Sequence, residues 1–331
     1  MILTADKIET KQPLKDSFQR VHDYLRIALI DKCNFRCNYC MPDEDMKFFA
    51  NNKLMTADEI IGIASKFIQH GVKKIRLTGG EPLVRNDVAY IIERLSEFPV
   101  ELCITTNGVY IDKHIDTFKK ARLKSVNVSF DSLHESRFKE ITHRDYFKQV
   151  LGNIHLLINE GFHVKVNMVV MKNVNEDEVV DFVKLTQHLP VHIRFIEFMP
   201  FAGNAWSEGK LFTYREMLGK VQSSFTIEKL TDKQHSTSKK YKVPGFEGTF
   251  AFITTMTTPF CGDCNRLRLT ADGKMKNCLF SKGEADLLTP YRNSEDIVPI
   301  IKTCLMQKKE MLGGQTDPEK MENRSMIQIG G

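Results

Sequence analysis

The sequence lacks a strong charge bias, a long apolar run and any low-complexity segment. Its 47 Lys and Arg residues exceed its 42 Asp and Glu residues by only five, which is too small an excess to predict nucleic-acid binding but allows a local basic pocket for an anion. No stretch approaches the roughly 20 apolar residues that cross a bilayer, and the polar first residues do not resemble a signal peptide. We therefore expect a cytoplasmic protein without a nucleic-acid or membrane partner.

Six of the eight cysteines fall into two sets of three. The sets are Cys33, Cys37 and Cys40, which lie within eight residues, and Cys261, Cys264 and Cys278. A chain of 331 residues without a secretory signal seldom relies on disulfides, so close cysteines of this kind indicate metal binding. Three thiolates on one loop can hold three corners of a 4Fe–4S cluster and leave one iron open.

Structural zinc is the alternative for both cysteine sets. Such a site normally has four ligands, and the spacing leaves the fourth ligand open. His22 is a candidate for the first set, and Cys304 or His235 for the second.

The first two thirds of the chain alternate between apolar, strand-like runs and helical patterns. The clearest helix is expected from Thr56 to His70, with Thr56 and Glu59 as a capping box and Gly71 after its end. Further helices are expected over residues 146–160 and from Asn175. Six strands are expected over residues 24–30, 73–78, 101–105, 125–130, 163–170 and 192–198.

Six successive βα units predict an α/β fold with parallel strands, either a barrel or a doubly wound sheet. Six units are too few to close an eight-stranded barrel. The alternation stops near residue 222, so we expect an N-terminal extension over 1–22, a βα domain over 23–222 and a smaller C-terminal domain over 223–331. The latter should contain a strand over 249–254, a hairpin turning at Asp272 and Gly273, and a last helix over 300–312.

Basic residues at alternating strand positions predict a site for an anion. A cation inside a parallel strand is costly unless it faces a ligand or a partner, and arginine forks match phosphate oxygens. The alternative is pairing inside the barrel with Glu101 or Glu197. The residues are Arg26, Arg76, Lys165, Arg194, Arg266 and Arg268, with Lys74 and Thr105 as weaker candidates.

The loop CNFRCNYC, followed about forty residues later by GGEP, resembles the signature of the radical S-adenosylmethionine (SAM) superfamily. Longer segments resemble one branch, the GTP 3′,8-cyclase family. They include DYLRIALIDKCNFRCNYCMP, IRLTGGEPLVR, VNVSFDSL, IRFIEFMP and PFCGDCNRLRLTADGKMKNCLF, and the chain ends in Gly330-Gly331 as that family does. One departure is Ala28-Leu29-Ile30, where the family commonly has a hydroxyl-bearing residue.

The resemblance implies a partial (βα)6 TIM-type barrel whose mouth is closed by a smaller C-terminal α+β domain. It also implies SAM and two 4Fe–4S clusters, the second of which binds the guanine end of GTP. The reaction would be conversion of GTP to 3′,8-cyclo-7,8-dihydro-GTP, the first step of molybdenum cofactor biosynthesis. An external electron donor and a pterin-forming synthase that receives the product are implied, whereas the oligomeric state, a homodimer included, is left open.

The resemblance also implies roles for individual residues. SAM would be bound by Tyr39, Gly80, Glu81, Ser129 and Met199. GTP would be bound by Arg26, Lys74, Arg76, Thr105, Lys165, Arg194, Arg266 and Arg268. The catalytic residues would be Arg26, Gly330 and Gly331.

Two other functions compete with this hypothesis. One is a radical SAM enzyme that crosslinks peptides or matures another enzyme, although such proteins usually carry more cysteines. The other is a zinc or iron–sulfur scaffold that binds a partner protein without catalysis. A metal assay and a test for 5′-deoxyadenosine formation distinguish them.

Overall fold

Strands and helices alternate regularly up to residue 222 in this computed structural model, which describes residues 11–41 and 48–330. All six predicted strands are present, and their ends differ from the expected ones by at most two residues. They are β1 (Tyr24–Ala28), β2 (Lys74–Thr78), β3 (Glu101–Thr106), β4 (Ser125–Ser129), β5 (Val164–Val170) and β6 (His192–Glu197). The helices are α1 (Ala57–Gln69), α2 (Val88–Ser96), α3 (Ile111–Lys120), α4 (Glu135–Thr142), α5 (Phe147–Asn159), α6 (Val179–Leu185) and α7 (Tyr214–Gln222).

The C-terminal third contains short strands followed by helices. The strands are β7 (Glu228–Lys229), β8 (Lys239–Lys242), β9 (Thr249–Ile253), β10 (Arg266–Leu269), β11 (Lys274–Lys276) and β12 (Ala285–Asp286). The helices are α8 (Leu288–Arg292), α9 (Val298–Met306) and α10 (Met326–Ile329). The expected hairpin is confirmed as β10–β11, and Gly273 in its turn has a φ of 72°.

The prediction of a last helix over 300–312 was wrong in two respects: the observed helix has other bounds, and it is not the last helix of the chain. Helix α9 ends at Met306, and α10 follows it near the end of the chain. The reason lies at Lys308, whose buried ammonium donates to the backbone carbonyl oxygens of Asn277 and Arg266. Because these acceptors lie beside β10 and β11, the chain leaves the helix to bring Lys308 to them.

All twelve strands belong to one sheet, in the order β12-β11-β10-β1-β2-β3-β4-β5-β6-β9-β8-β7. Strands β1 to β6 are parallel neighbours in chain order. The C-terminal third adds one parallel strand at each edge of this row, β10 beside β1 and β9 beside β6. Within the described part of the chain, eight neighbouring strands are therefore parallel, two more than the alternating pattern predicted. The division into domains at residues 222 and 223 remains a prediction.

Helix α1 shows how a local sequence signal fixes an element of the barrel wall. The Thr56 hydroxyl accepts a hydrogen bond from the Glu59 amide, and the Thr56 amide donates to the Glu59 carboxylate at 2.7 Å. Gly71, with a φ of 91°, follows the helix end. The apolar face of the helix is fully buried against the sheet, as Ile60, Ile63 and Phe67 show. Among the described residues, no helix is long and apolar enough to cross a membrane.

Replacing Thr56 by alanine should lower the free energy of unfolding by about 1 kcal/mol, because one amide of the first helical turn loses its acceptor. Urea unfolding followed by circular dichroism measures this difference. The matched control is Thr56→Ser, which keeps the hydroxyl and should unfold close to the wild-type midpoint. Equal losses in both variants would show that the methyl group, rather than the cap, contributes the stability.

Candidate functional site

A cavity of about 800 Å³ lies inside the row of parallel strands and is lined by both parts of the chain. It gathers nearly all of the residues that the sequence predicted. The six cysteines of both sets line it. So do Tyr39, Gly80, Glu81, Ser129 and Met199 of the predicted SAM site, and Arg26, Lys74, Arg76, Thr105, Lys165, Arg194, Arg266 and Arg268 of the predicted GTP site. Gly331 lies outside the described residues.

The first cysteine loop follows β1 at its carboxyl end. Backbone bonds tighten it, since the Cys40 amide donates to the Cys37 carbonyl at 3.0 Å. Cys33 Sγ accepts hydrogen bonds from the Phe35 amide at 3.4 Å and from Asn107 Nδ2 at 3.8 Å. These N–H donors favour an anionic sulfur, but burial outweighs them and raises the pKa of the Cys33 thiol. The positive charge of a bound iron–sulfur cluster would compensate for that burial.

The second cysteine set lies on the other side of the cavity, where β10 begins and β11 ends. Cys264 Sγ is 3.5 Å from Arg266 Nη2 and 3.9 Å from the Lys308 ammonium. Two cations beside one sulfur stabilise its thiolate form. Three thiols and their positive neighbours thus offer three corners of a cluster at this position as well.

The proposed fourth ligands for zinc have other contacts. His22 Nε2 is 3.0 Å from Asp16 Oδ2, and both side chains are buried. His235 Nδ1 is 2.6 Å from the Asp263 carbonyl oxygen. Cys304 is buried, with its sulfur 3.9 Å from the Met275 carbonyl oxygen. Among the described residues, no three His, Cys, Asp or Glu side chains are already gathered into a metal-ion site.

The GGEP turn packs closely against the first cysteine loop. The Gly80 amide donates to the Ile30 carbonyl at 2.7 Å, and a Cβ at Gly80 would lie 2.3 Å from the Lys32 carbonyl oxygen. Only glycine fits such a backbone approach. The buried Glu81 carboxylate accepts hydrogen bonds from the Leu83 and Asn107 amides and from the Thr106 hydroxyl. Glu81 therefore joins the ends of β2 and β3 beneath the cysteine loop.

Tyr39 is joined to the barrel by a residue that sequence reasoning did not single out as a site residue. Its hydroxyl donates to Asp131 Oδ2 at 2.7 Å, and Asp131 Oδ1 accepts from the Val169 amide at 2.8 Å. Burial raises the pKa of Asp131 to about 6. The Asn204 side chain donates to the Tyr39 carbonyl at 3.3 Å. The cysteine loop is thereby fixed to β4, β5 and the segment after β6.

Neutral groups, rather than carboxylates, hold most of the cationic side chains. Arg76 donates to the Tyr24 hydroxyl at 2.7 Å and to the Ile104 carbonyl at 2.9 Å. Arg194 donates to Asn167 Oδ1 at 2.8 and 2.6 Å. Lys74 is the exception, with its ammonium 2.6 Å from a Glu101 oxygen.

The second carboxylate considered as an arginine partner is engaged elsewhere. Glu197, at the end of β6, is fully buried. Its oxygens accept from the backbone amides of Tyr214, Met256 and Thr257 at 2.8 to 3.0 Å. Pairing of the barrel arginines with Glu197, the alternative raised from the sequence, was therefore wrong, whereas pairing with Glu101 holds for Lys74.

Enclosure of these cations changes their acid–base properties. Burial lowers the pKa of Arg194 to about 9, with repulsion from Arg76 as the next cause. Burial and the positive charges of Arg194, Arg76 and Lys74 lower the pKa of Lys165 to about 8. At Tyr24 burial acts in the opposite direction, but Arg76 and Arg26 outweigh it and lower the pKa to about 7. Burial is thus the main cause at Arg194 and Lys165, whereas neighbouring cations determine the direction of the shift at Tyr24. An anionic ligand would offset both effects at the two cations.

The end of the chain lies behind the wall of the same cavity, in contact with Arg268, which lines it, whereas Gly330 itself is not among the lining residues. Arg268 Nη1 donates to the carbonyl of Gly330, which is buried and has a φ of 83°. A Cβ at this position would lie 2.6 Å from Thr78 Oγ1 and 2.8 Å from Ala28 Cβ. Neither the backbone angle nor the space suits another residue at position 330.

A polar segment from which the sequence analysis named only His235, as a possible zinc ligand, also lines the cavity. Its residues are Lys233, His235, Ser236, Thr237, Ser238 and Lys240. It is fixed to the second cysteine loop by the His235 amide, which donates to Asp263 Oδ2 at 2.7 Å. Its mixture of serine, threonine and lysine was the available signal, but such composition is equally typical of solvent-exposed loops.

Comparison with known families agrees with this geometry. Residues 27–186 match the model of the radical SAM superfamily, and residues 191–313 match the model named Molybdenum Cofactor Synthesis C. The crystal structure of SuiB from Streptococcus suis bound to S-adenosylmethionine has the same fold, with a TM-score of 0.65. The two sequences are 13% identical, and the alignment covers 93% of this chain and 77% of that one. Fold and site thus define a protein of the radical SAM class.

The relatives narrow the class to one family. A GTP 3′,8-cyclase from Listeria welshimeri is 38% identical, and the alignment covers 97% of this chain and 100% of that protein. Molybdenum cofactor biosynthesis protein 1 of Mus musculus is 45% identical over 96% of this chain and 51% of its own length. The chain belongs to the GTP 3′,8-cyclase family of the radical SAM superfamily. It spans about half the length of the animal relatives that it matches.

Replacing Gly330 by alanine should displace the end of the chain from its position beside Arg268, because the new methyl group meets Thr78 and Ala28. Amide hydrogen exchange of residues 325–330 should then accelerate at least tenfold. Gly283→Ala is the matched control, since a Cβ there meets nothing within 4 Å. Slow exchange retained in the Gly330 variant would mean that the barrel yields to accommodate the methyl group.

Proposed function

We propose that this protein is a radical SAM lyase that converts GTP to 3′,8-cyclo-7,8-dihydro-GTP in molybdenum cofactor biosynthesis. One observation carries the proposal: both cysteine sets and all eight predicted GTP-binding residues line a single cavity. A cluster scaffold that only binds a protein partner would have no use for so many enclosed cations. The reaction is inferred from family membership. The cations that line the cavity explain why the substrate would be a polyanion.

Two 4Fe–4S clusters and SAM would supply the electron and the 5′-deoxyadenosyl radical that removes hydrogen from the ribose. Cys33, Cys37 and Cys40 hold the first cluster, and Cys261, Cys264 and Cys278 the second. Tyr39, Gly80, Glu81, Ser129 and Met199 belong to the SAM site. Among these, Glu81 acts by shaping the turn, since its oxygens already accept protein hydrogen bonds.

The chain's own cations orient the nucleotide. Arg26 on β1 is the register partner of Arg76 on β2 and of Arg268 on β10. The three arginines therefore lie at the same level along the strands. Lys74, Thr105, Lys165, Arg194 and Arg266 complete the proposed GTP site. Forked guanidinium groups fix phosphate oxygens in direction as well as in position. A triphosphate bound in this way would keep the ribose in one position while guanine is bound at the second cluster.

Arg26, Gly330 and Gly331 are the proposed catalytic residues. Gly330 supports this role through its place beside Arg268, which brings the end of the chain to the proposed substrate site. The protein would act in the cytoplasm, where thiols stay reduced. It would receive electrons from an external donor and pass its product to a pterin-forming synthase, and a homodimer is compatible with this scheme.

Anaerobic incubation with SAM, a reductant and each nucleoside triphosphate in turn tests the proposed function. Mass analysis should find 5′-deoxyadenosine together with cyclised GTP, and no cyclised product from ATP, CTP or UTP. A peptide-modifying radical SAM enzyme would leave GTP unchanged in the same assay. A protein that contains zinc and releases no 5′-deoxyadenosine would be a scaffold.

Replacing a cysteine of the first set should have a different effect on activity from replacing one of the second set. Cys37→Ala should abolish 5′-deoxyadenosine formation, because the first cluster loses a ligand. Cys264→Ala should keep SAM cleavage, lose cyclised product and retain about half of the iron, because only the second cluster is removed. Iron analysis and chromatography of both products measure these outcomes, with Cys304→Ala as the control that keeps both clusters. Loss of SAM cleavage in the Cys264 variant would contradict the separation of roles.

GTP binding should weaken as the pH rises above about 8. In the free cavity the pKa of Lys165 is about 8, and a bound triphosphate raises that pKa, so binding requires proton uptake at higher pH. The dissociation constant should therefore increase about tenfold between pH 7 and pH 9. Lys165→Arg stays charged and should flatten the profile, as equilibrium dialysis would reveal. An equally steep profile in that variant would assign the titration to another group, such as Tyr24.

A further inference from the structure

Arg324 forms a forked ion pair just before the end of the chain. Its Nη1 donates to Asp272 Oδ1 at 2.9 Å and its Nη2 to Asp272 Oδ2 at 3.1 Å. Nη2 also donates to Glu284. The three side chains are largely buried, with exposed fractions of 18%, 9% and 14% respectively. Pairs with this geometry and burial fix position much better than ion pairs in solvent.

The acceptor belongs to the hairpin that carries the proposed substrate residues. Asp272 lies in the turn between β10 and β11, and the Thr270 hydroxyl donates to its carboxylate at 2.6 Å. Strand β10 contains Arg268, and Cys278 follows β11 by two residues. The ion pair therefore joins the tail to the element that positions Arg268 and the second cysteine set.

The residues after Arg324 lie against the wall of the cavity, which Met326 lines. Ile327 and Ile329 of α10 are buried, and Ile329 packs with Phe201 and Phe280. Gly330 then accepts the hydrogen bond from Arg268. The last turn of chain is thus fixed to one hairpin at two points, Arg324 and Gly330. A four-residue helix has little stability of its own, so the position of Gly330 depends on these two polar attachments together with the burial of Ile327 and Ile329.

Arg324 also contacts the region after the first cysteine loop. Its guanidinium carbon lies 5.6 Å from the centre of the Phe49 ring. The Phe49 amide in turn donates to Asp31 Oδ2 at 2.5 Å, and Asp31 precedes Cys33 by two residues. One side chain thereby touches structure connected to both cysteine sets.

We propose that Arg324 is a positioning residue whose forked ion pair with Asp272 and Glu284 latches the end of the chain and holds Gly330 against Arg268. This inference rests on the proposed function for its catalytic consequence, because only then does Gly330 take part in a reaction. The latch itself is a statement about the tail and can be tested without turnover. Its loss leaves both cysteine sets and the barrel cations in place.

The first measurement is amide hydrogen exchange of residues 325–330 in the full-length, cluster-loaded protein. Arg324→Gln should accelerate exchange at least tenfold, because the segment loses one of its two attachments. Asp272→Asn, a neutral replacement of similar shape, should give a similar acceleration. Arg324→Lys should fall between these and the wild type, since an ammonium keeps the charge but not the fork.

The second measurement is the ratio of cyclised product to 5′-deoxyadenosine. With the latch broken, SAM cleavage should continue while product formation falls about tenfold, so the two become uncoupled. The variants should also melt at a lower temperature, because Asp272 and Glu284 are left largely buried without their partner, so both products are measured at a temperature at which circular dichroism shows each variant to be folded. A residue that only stabilises the fold would instead lower both products together as the protein unfolds.

Lys282→Gln is the matched control. Lys282 pairs with Glu322 of the same tail at 3.0 Å, but this pair is exposed to solvent, so its loss should change neither exchange nor product ratio. Wild-type exchange in Arg324→Gln and Asp272→Asn would overturn the latch. Faster exchange together with an unchanged product ratio would overturn its positioning role. If the variants loosen the tail but the wild-type protein makes no cyclised GTP, the latch stands and the proposed function fails.

Discussion

The enclosure of positive charge inside a barrel is the constraint on which the rest of this structure depends. Arg26, Arg76, Lys165 and Arg194 project from strands whose outer faces are covered by helices. Removing such groups from water is costly unless charge or hydrogen bonds compensate. The neutral Asn167 amide compensates Arg194 only in part, and burial lowers the pKa values of both Arg194 and Lys165. The cavity is therefore positively charged before any ligand binds, and this charge favours the binding of a polyanion.

The C-terminal third both completes the barrel and builds the site. Strand β10 pairs with β1 and β9 pairs with β6, so each edge of the six-stranded row is covered by a strand from the far end of the chain. The same pairing brings Arg268 level with Arg26 and carries the second cysteine set to the rim. The cavity and the extension of the sheet at both edges thus depend on the same backbone hydrogen bonds. Arg266 and Arg268 on β10 are consequently positioned by the same kind of parallel pairing as Arg26 and Arg76.

Local signals in the sequence predicted local structure well. The Thr56 capping box, the glycine after α1 and the apolar runs of β1 to β6 each depend on neighbouring residues, and all were confirmed. Parallel pairing of Leu25 with Leu267 joins residues far apart in the chain, and no periodicity encodes it. The hydrogen bond from Tyr39 to Asp131 and the three amides that bind Glu197 were missed for the same reason. These buried polar contacts follow from tertiary packing, which a single sequence does not reveal.

The contacts of Gly330 explain how Ala28, the first residue of the segment that departs from the family pattern, can be accommodated. Ala28 ends β1, and its Cβ would lie only 2.8 Å from a Cβ at position 330. On the other side Thr78 Oγ1 donates to the Ile27 carbonyl at 3.2 Å, so that hydroxyl cannot turn away without losing its acceptor. The tail is therefore clamped between two backbone-fixed neighbours. A small side chain at position 28 and glycine at position 330 form one steric unit, because enlarging either removes the space that the other needs.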